Sequence, residues 1–354
     1  MPSGKARNGT LGLLKPQIWL GQSADTSSIC STYDELKTAA FLTSLGCVMR
    51  RPSLRGSHFN LSLRDKLGLA GPLMIDSGGF ALMKVPSAKW SATIVGNFIE
   101  SIDAEIFVSL DLPPSTGDDQ HERQRKIRAS TRNFRYLTDR FPTKTIMPVV
   151  HGRSISEINY SIELILRASR NPSWIGLGGI VPLLMNRYTS DEIATLGSET
   201  FIGLSITALR RAFPDAKIHA FGAGGTRTFP AAFAFGADSA DSIGWRQAAG
   251  FGSIFLPMKS QRIVTWSNDT KRPRKLLDDS DLEQIDACSC PICRSKKSTS
   301  SRLAAFNKGF HNRAIHNAWT LCNQFRSWPR NRSAMMSLLA NGIFGPRWAS
   351  AVGS

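Results

Sequence analysis

The sequence contains no run of about 18 uncharged apolar residues, so it predicts no membrane-spanning helix. Its first 17 residues are basic but lack the long apolar stretch and cleavage site of a secretory signal, and we expect none. Cysteine is scarce, with 6 in 354 residues, and three of them lie between positions 288 and 293. This distribution does not suggest a disulfide framework and favours the reducing cytoplasm.

Acidic residues are absent from the C-terminal 68 residues, because no Asp or Glu follows Asp286. The chain has a formal net charge of +17, and this segment contributes ten basic residues: Arg294, Lys296, Lys297, Arg302, Lys308, Arg313, Arg326, Arg330, Arg332 and Arg347. A second basic run extends from His121 to Arg135. Such fields attract polyanions, including nucleic acids. A basic charge kept for solubility is the alternative.

Short apolar runs alternate with longer amphipathic stretches between about residues 17 and 245. The runs are QIWLGQ (17–22), PLMIDSGG (72–79), IFVSLDLPP (106–114), TIMPVVHG (145–152), WIGLGGIVP (174–182), KIHAFGAGG (217–225) and FGADSADSIGW (235–245). Repeated strand-then-helix units predict a parallel sheet. Seven visible strands and one unrecognised strand would close a (β/α)8 TIM-like barrel, and a doubly wound open sheet is the structural rival.

Polar residues and glycines at the carboxyl ends of these runs favour the barrel. They are Asp76, Asp111, His151, Gly178-Gly179, Gly222-Gly224 and Asp241. In a closed barrel such ends converge on one mouth, where enzymes of this fold carry their chemistry. We therefore predict an α/β chain with a catalytic barrel over residues 1–255 and a basic C-terminal subdomain over residues 256–354, whose metal-binding residues are described next.

A compact group of metal-binding residue types lies in the C-terminal segment. Cys288, Cys290, Cys293 and His316 offer three thiolates and an imidazole, which is a closed tetrahedral set for a structural Zn2+. His311 is a competing fourth ligand, and Cys322 would complete a four-thiolate iron–sulfur site instead. Reduced thiols without a metal are the third alternative.

The stretch Asp76-Ser77-Gly78-Gly79 places an acid at the end of an apolar strand, followed by a glycine turn. A carboxylate there costs free energy unless it is paired or used chemically. The glycines allow the backbone to turn tightly beside a flat ligand. Helix capping by the aspartate is the structural alternative.

Together these motifs resemble the tRNA-guanine transglycosylase family over about residues 76–317. Asp76-Ser77-Gly78-Gly79-Phe80 is similar to its D-S-G-G-[FY] segment, and Gly236–Ser242 to its G-x-D-x-F-D-[CS] segment. Asp111 corresponds to the second barrel aspartate, Val150-His151-Gly152 to a V-Q-G segment, and Gly178-Gly179 to the G-G pair. The cysteines with His316-Asn317 match the C-x-C-x-x-C…H-N zinc signature.

The resemblance implies a role for each matched residue. Asp241 corresponds to the nucleophile that forms a covalent glycosyl intermediate, and Asp76 to the general acid/base. Base binding is assigned to Asp111, His151, Gly178, Gly179, Ser77, Gly78 and Phe80. From the residues alone, Asp111 could be a turn residue, the glycine pair simple strand-end geometry, and His151 a core histidine.

Three departures from the family pattern distinguish this chain. Ala81 replaces a glutamine after D-S-G-G-[FY], His151 replaces the V-Q-G glutamine, and Ala240 replaces the aromatic residue before the nucleophile. Fewer than about 40 residues follow His316, so we expect no appended RNA-binding domain of the archaeal kind. The departures resemble the DNA-guanine transglycosylase branch, which inserts a 7-deazaguanine into DNA.

The sequence therefore predicts a pentosyltransferase with a structural zinc that exchanges guanine in DNA for a 7-deazaguanine, with 7-cyano-7-deazaguanine as the expected base. DNA, the incoming base and proteins of a DNA-modification system are the expected partners. A tRNA-guanine transglycosylase with a minimal C-terminus is the first alternative. A non-catalytic nucleic-acid-binding subunit is the second, although such a subunit has no need of Asp76, Asp111 and Asp241 together.

Overall fold

The computed structural model describes residues 16–24, 28–50, 59–60, 63–84, 90–169, 171–185, 190–265, 276–324 and 332–352. The N-terminal segment tested above for a signal, Arg326, Arg330 and residues 271–275 lie outside these ranges. Within them no helix is both long and apolar enough to cross a membrane.

Nine parallel strands form the main sheet among the described residues. Their bounds are β1 Gln17–Gly21, β2 Ala40–Ser44, β3 Leu73–Asp76, β4 Ile106–Val108, β5 Ile146–Met147, β6 Val149–Val150, β7 Trp174–Leu177, β8 Lys217–Ala220 and β9 Ser239–Ser242. Their order across the sheet is β5-β4-β3-β2-β1-β9-β8-β7-β6. A short antiparallel pair follows, β10 Ser253–Ile254 and β11 Arg262–Ile263.

Helices follow most of the strands. In the described part of the chain they are α1 Asp34–Lys37, α2 Gly46–Arg50, α3 Leu63–Leu67, α4 Gly79–Lys84, α5 Ala92–Ser101, α6 Gln120–Arg140, α7 Ile155–Ala168, α8 Ile180–Leu184, α9 Asp191–Leu196, α10 Ser198–Ala212, α11 Thr228–Phe235, α12 Gly244–Gly250, α13 Asp279–Asp286, α14 Thr299–Lys308, α15 Phe310–Asn323, α16 Arg332–Ala340 and α17 Pro346–Ser350, with a 3-10 turn at Ile29–Thr32.

The two edge strands of the sheet are halves of one strand that is interrupted at Pro148. Proline has no N–H for the ladder, but its carbonyl still accepts a hydrogen bond from the Gly176 N–H at 2.9 Å. Because β5 pairs with β4 and β6 with β7, the sheet returns on itself as a nearly closed barrel. Counted this way it has eight strands, as predicted, and β2 is the strand that the sequence did not reveal.

Side chains alternate between the inside of the barrel and the outer layer of helices. Trp19, Leu42, Met74, Val108 and Met147 belong to the cluster inside the barrel. The residues between them, such as Leu20 and Ile75, pack outward against helices. This period of two follows from strand geometry. Asp241 pairs in register with Trp19, so it continues the inward face at the barrel mouth.

Residues 246–287 are rich in polar and charged side chains, yet their described part contains several regular elements. Helix α12, the β10–β11 pair and helix α13 all lie there. Asp281 is fully buried and pairs with Arg262 and, at 2.7 Å, with Lys259. A buried carboxylate with two cationic partners avoids the cost of an unpaired charge, and these pairs attach helix α13 to the segment around β11.

Helix α15 fixes the C-terminal segment to the barrel through Asn317, which is fully buried. The Asn317 Oδ1 accepts from the Phe255 N–H at 2.6 Å, and its Nδ2 donates to the carbonyls of Trp245 and Ser253. Arg313 adds a bond from Nε to the Ala249 carbonyl at 2.8 Å. These bonds attach α15 to the segment that directly follows strand β9.

Candidate active site

A cavity of about 200 Å³ opens at the carboxyl ends of the barrel strands. Its wall includes three carboxylates, Asp76, Asp111 and Asp241, which come from three different strand ends. His151, Gly178, Gly179 and Phe80 also line it. The structure thus brings together the two predicted catalytic residues and five of the predicted base-binding residues.

Asp76 ends strand β3 and lies opposite Ser44 of strand β2. Burial raises the pKa of the Asp76 carboxyl, and the nearby charges of Asp111 and Asp241 raise it further. Hydrogen bonds from Ser44 and the Gly78 N–H lower it in part, and the resulting pKa is about 7. A carboxyl group that is half protonated near neutral pH can both donate and accept a proton.

Asp111 and His151 form a buried pair beside Asp76. The His151 Nε2 lies 2.6 Å from the Asp111 Oδ2, and both side chains are nearly inaccessible. Two glycines make room for them: a Cβ at Gly79 would lie 2.0 Å from the Asp111 Oδ1, and one at Gly178 would lie 2.1 Å from the His151 ring. His151 therefore lines the cavity, paired with an acid, and is not a histidine of the apolar core.

Asp241 is held from one side by neighbouring groups of strand β8. Its Oδ1 accepts from the Gly222 N–H at 2.6 Å and lies 3.3 Å from the Nε2 of His219. The sequence analysis missed His219 and Phe221. His219 lies on β8 and Phe221 directly follows that strand, and the two are spaced as Ser239 and Asp241 are on β9. A sequence does not reveal which residues of two strands are opposite each other.

Two predicted base-binding residues do not line the cavity. Ser77 is fully buried and its hydroxyl donates to the Ser109 carbonyl at 3.0 Å, while its own carbonyl accepts from the Trp90 indole. Gly78 has a φ of +90°, and a Cβ there would meet the Gly46 N at 2.8 Å. These two residues shape the turn after Asp76, and their assignment to base contact stays a prediction.

Of the three departures from the family pattern, only His151 lies in the cavity wall. Ala81 is in helix α4, where it packs so close to Gly46 that a Cβ on that glycine would lie 2.6 Å away. Ala240 is fully buried and points outward into the helix layer. The cavity wall therefore differs from the family pattern at one of these three positions.

Cys288, Cys290, Cys293 and His316 form a candidate metal centre, with their ligand atoms within 4.8 Å of one another. The His316 Nδ1 lies 3.6, 3.4 and 3.9 Å from the three sulfurs. A tetrahedral zinc with ordinary bond lengths would separate sulfur from nitrogen by about 3.5 Å. The other ring nitrogen, Nε2, contacts the Phe255 carbonyl at 2.9 Å, an arrangement that directs Nδ1 to a metal.

The structure decides between the alternative ligands. His311 is exposed and contacts the Tyr33 hydroxyl at 3.1 Å through Nε2. Cys322 is not a member of the cluster found among the described residues. The four residues can therefore hold a metal ion such as zinc, and they leave no ligand position open for chemistry.

Several basic residues of the C-terminal segment and of the His121–Arg135 run have partners within the protein. Arg313 is buried, Arg302 donates to the Ile285 carbonyl at 2.8 Å, Arg294 pairs with Glu35, and Arg332 donates to carbonyls of helix α11. In the second run, four basic side chains pair with acids: Arg123 with Glu157, Arg125 with Glu122, Lys126 with Asp118 and Arg135 with Asp139. Of the eight basic C-terminal residues that the structure describes, five are exposed: Arg294, Lys297, Lys308, Arg332 and Arg347.

Comparison with known proteins places the chain in a family. The signature described as "TGT: Queuine tRNA-ribosyltransferase" matches residues 29–330. The chain is 30% identical over 255 residues to a tRNA-guanine(15) transglycosylase of Methanosarcina mazei, covering 71% of this chain and 46% of that protein. It is 27% identical over 341 residues to the same enzyme of Pyrococcus abyssi, covering 90% and 51%. The chain spans about half the length of the curated relatives it matches. Because the signature covers most of the chain, this protein belongs to the TGT family.

Proposed function

We propose that this protein is a guanine transglycosylase that replaces guanine in DNA with a 7-deazaguanine, 7-cyano-7-deazaguanine being the expected base. The observation that carries the proposal is the convergence of Asp76, Asp111 and Asp241 on one cavity. Base exchange needs a nucleophile, a proton donor and an acceptor for the base edge, and the three carboxylates can supply one function each.

In the first half-reaction, a lone pair of the Asp241 carboxylate forms a bond to C1′ of the nucleotide. The bond from C1′ to N9 of guanine breaks, and its electron pair remains on N9. Asp76 gives its proton to the departing base, which its pKa of about 7 allows at neutral pH. The sugar is then held as an ester of Asp241, as in retaining glycosidases.

In the second half-reaction, the incoming base loses its N9 proton to Asp76 and its nitrogen attacks C1′. The ester bond breaks, and its electrons return to the Asp241 carboxylate. The cycle thus restores both aspartates to their starting protonation states. The double displacement retains the configuration at C1′ because each attack inverts it.

Asp111 and His151 would read the edge of the base. A carboxylate is a natural acceptor for the N1–H and exocyclic amine of guanine. The Asp111 carboxylate is fixed by its 2.6 Å contact with His151, and the backbone at Gly178 and Gly179 lies in the same wall. Phe80, which is about half exposed at the rim, offers a flat apolar surface to the ring.

We assign the C-terminal cluster to a structural zinc. Four protein ligands leave no open position, so the ion would stabilise the fold rather than activate water. Its histidine is adjacent to Asn317, which bonds to the barrel next to strand β9. Metal binding would thereby support the position of the segment that follows Asp241.

DNA is proposed as the substrate because the departures from the family pattern resemble the DNA-acting branch. Modification of tRNA is the second candidate, since the relatives named above are tRNA-guanine(15) transglycosylases. In both cases the target base must leave its stack to enter the cavity, at a cost of a few kcal/mol that is smallest in an open strand.

The test is to offer labelled guanine, or labelled 7-cyano-7-deazaguanine, with duplex DNA, single-stranded DNA and tRNA in parallel reactions. The Asp241→Ala protein is the control for chemistry. We expect incorporation into DNA, more into the single strand, and none with the variant. Incorporation into tRNA alone would replace the proposal with the second candidate, and incorporation into none of the three would overturn both.

A further inference from the structure

His219 is a fully buried residue beside the carboxylate of Asp241. It lies directly opposite Ser239 in the pairing of strands β8 and β9. Because Ser239 and Asp241 are two residues apart on β9, both share the inward face with His219. The His219 ring contacts both of them: Nδ1 lies 2.8 Å from the Ser239 Oγ, and Nε2 lies 3.3 Å from the Asp241 Oδ1.

The Asp241 carboxylate determines which atoms carry hydrogen in the Ser239–His219–Asp241 contacts. An ionised carboxylate only accepts hydrogen bonds, so the Nε2 of His219 carries a hydrogen and donates it. In a neutral imidazole Nδ1 is then an acceptor, and the Ser239 hydroxyl donates to it. Ser239 therefore selects the tautomer that donates to Asp241.

The two contacts that the described residues make with the Asp241 carboxylate fall on the same oxygen. Oδ1 takes the Gly222 N–H at 2.6 Å and the His219 contact at 3.3 Å. We infer that His219 is a positioning residue for base exchange, which together with Gly222 holds Oδ1 and leaves Oδ2 as the oxygen that attacks C1′. This inference rests on the proposed function of Asp241.

His219 acts through Asp241 rather than on the substrate. Phe221 stands at the cavity wall and contacts the imidazole edge-on, with the ring centres 4.4 Å apart. His219 itself is not part of that wall. Its effect should therefore appear in the energy of the carboxylate and not in the affinity for the base.

The chemistry gives this positioning a specific signature. When Oδ2 bonds to C1′ and the C1′–N9 bond breaks, Oδ1 changes from a charged carboxylate oxygen to a neutral ester carbonyl. A hydrogen bond to a charged acceptor is stronger than one to a neutral acceptor. Removing the His219 donor should thus destabilise the free Asp241 carboxylate more than the Asp241 ester. It should also slow cleavage of the ester by the incoming base, the step that regenerates the carboxylate.

The experiment measures the covalent adduct between the full-length protein and a guanine-containing oligonucleotide at a fixed concentration of free guanine. In His219→Leu we expect the ratio of adduct to free protein to rise about five- to tenfold. This factor is the difference in strength between a hydrogen bond to a charged acceptor and one to a neutral acceptor, expressed as an equilibrium constant. Discharge of the adduct by excess guanine should slow by a similar factor. His219→Gln, whose amide can donate from the same position, should behave much like the wild type.

Thermal stability and metal content identify a variant that has failed to fold. In that event Ser239→Ala, which removes only the outer hydroxyl, should show a smaller rise in adduct in the same direction. General damage to the site would lower the adduct together with turnover. An unchanged or reduced adduct in a folded His219→Leu protein, or equal effects of Leu and Gln, would overturn the inference. Absence of any adduct in the wild type on DNA or tRNA would overturn the proposed function itself.

Discussion

Replacing Asp76 with asparagine should stabilise the protein at alkaline pH while abolishing base exchange. The fold raises the pKa of this carboxyl from 3.8 to about 7, chiefly by burial. The native state therefore binds this proton more tightly than the unfolded state does. The contribution of the protonated Asp76 carboxyl to the free energy of unfolding is complete below about pH 4 and is lost as the pH rises through 7. At pH 8 the native state contains an ionised, poorly solvated carboxylate that asparagine does not have.

The size of this effect follows from the shift in pKa. About three units correspond to about 4 kcal/mol, which is an upper bound because the cavity admits some solvent. Asp76→Asn should thus raise the free energy of unfolding at pH 8 by up to about 4 kcal/mol, and by much less at pH 4. Exchange should fall at least about 100-fold, since the proton donor is lost. In the wild type, the first half-reaction should slow about tenfold per unit above pH 7.

Urea unfolding at pH 4, 6 and 8 measures the free energy of unfolding. Release of labelled guanine in a single turnover measures the rate of the first half-reaction. Asp103→Asn is the matched control, because Asp103 is an exposed carboxyl outside the cavity. Its stability should change by less than about 0.5 kcal/mol at every pH. The reasoning would be refuted if Asp76→Asn were no more stable than wild type at pH 8, or if the gain were the same at pH 4.

Three further predictions concern other parts of the molecule. Cys290→Ser should lose the bound metal and about 3 kcal/mol or more of stability. Cys322→Ser is the control and should keep the metal. Metal analysis and thermal unfolding distinguish the two variants. Gly178→Ala should weaken base binding and destabilise the protein by about 1–3 kcal/mol, because the added Cβ would lie 2.1 Å from the His151 ring. The control is Gly117→Ala, whose Cβ would meet no atom within 4 Å and which should change neither base binding nor stability. Replacing Lys296, Lys297 and Lys308 with alanine should weaken DNA binding and reduce its salt slope by up to about three, whereas Arg302→Ala should lower thermal stability instead. An unchanged salt slope in the triple variant would place the phosphate contacts elsewhere.

The barrel could be predicted because its strands are buried on both faces. Continuous apolar runs such as Leu73–Ile75 and Ile106–Val108 distinguish such strands from amphipathic helices. Strand β2 was missed because AFLTS has only three apolar residues and ends in two polar ones, as the start of a turn often does. The interruption of one strand at Pro148 also has no signature beyond the proline itself.

The candidate site was predictable where residue type alone indicates chemistry. Asp76, Asp111 and Asp241 are acids at strand ends, and the cysteine spacing predicts a metal ligand set. Ser77 and His219 show where this reasoning stops. The direction of the Ser77 side chain depends on the turn at Gly78, and the place of His219 depends on the register between β8 and β9. Both are properties of the assembled barrel.

The basic residues illustrate the same limit. Net charge is visible in a sequence, but which cations face solvent is not. Arg313 is one of the ten basic residues of the C-terminal segment, yet its guanidinium is buried against the carbonyls of Ala249 and Phe306. Charge composition therefore indicated a polyanionic partner while overstating the number of residues available to bind it.

The central claim, that Asp241 attacks the sugar, is tested most directly by locating the covalent adduct. The protein would be incubated with a guanine-containing oligonucleotide, denatured and digested, and the modified peptide would be identified by mass spectrometry. We predict a nucleotide mass on the peptide that contains Asp241, with the modification assigned to that residue and absent from Asp241→Ala. An adduct mapped to Asp76, or one that persists in the Asp241→Ala protein, would contradict the account.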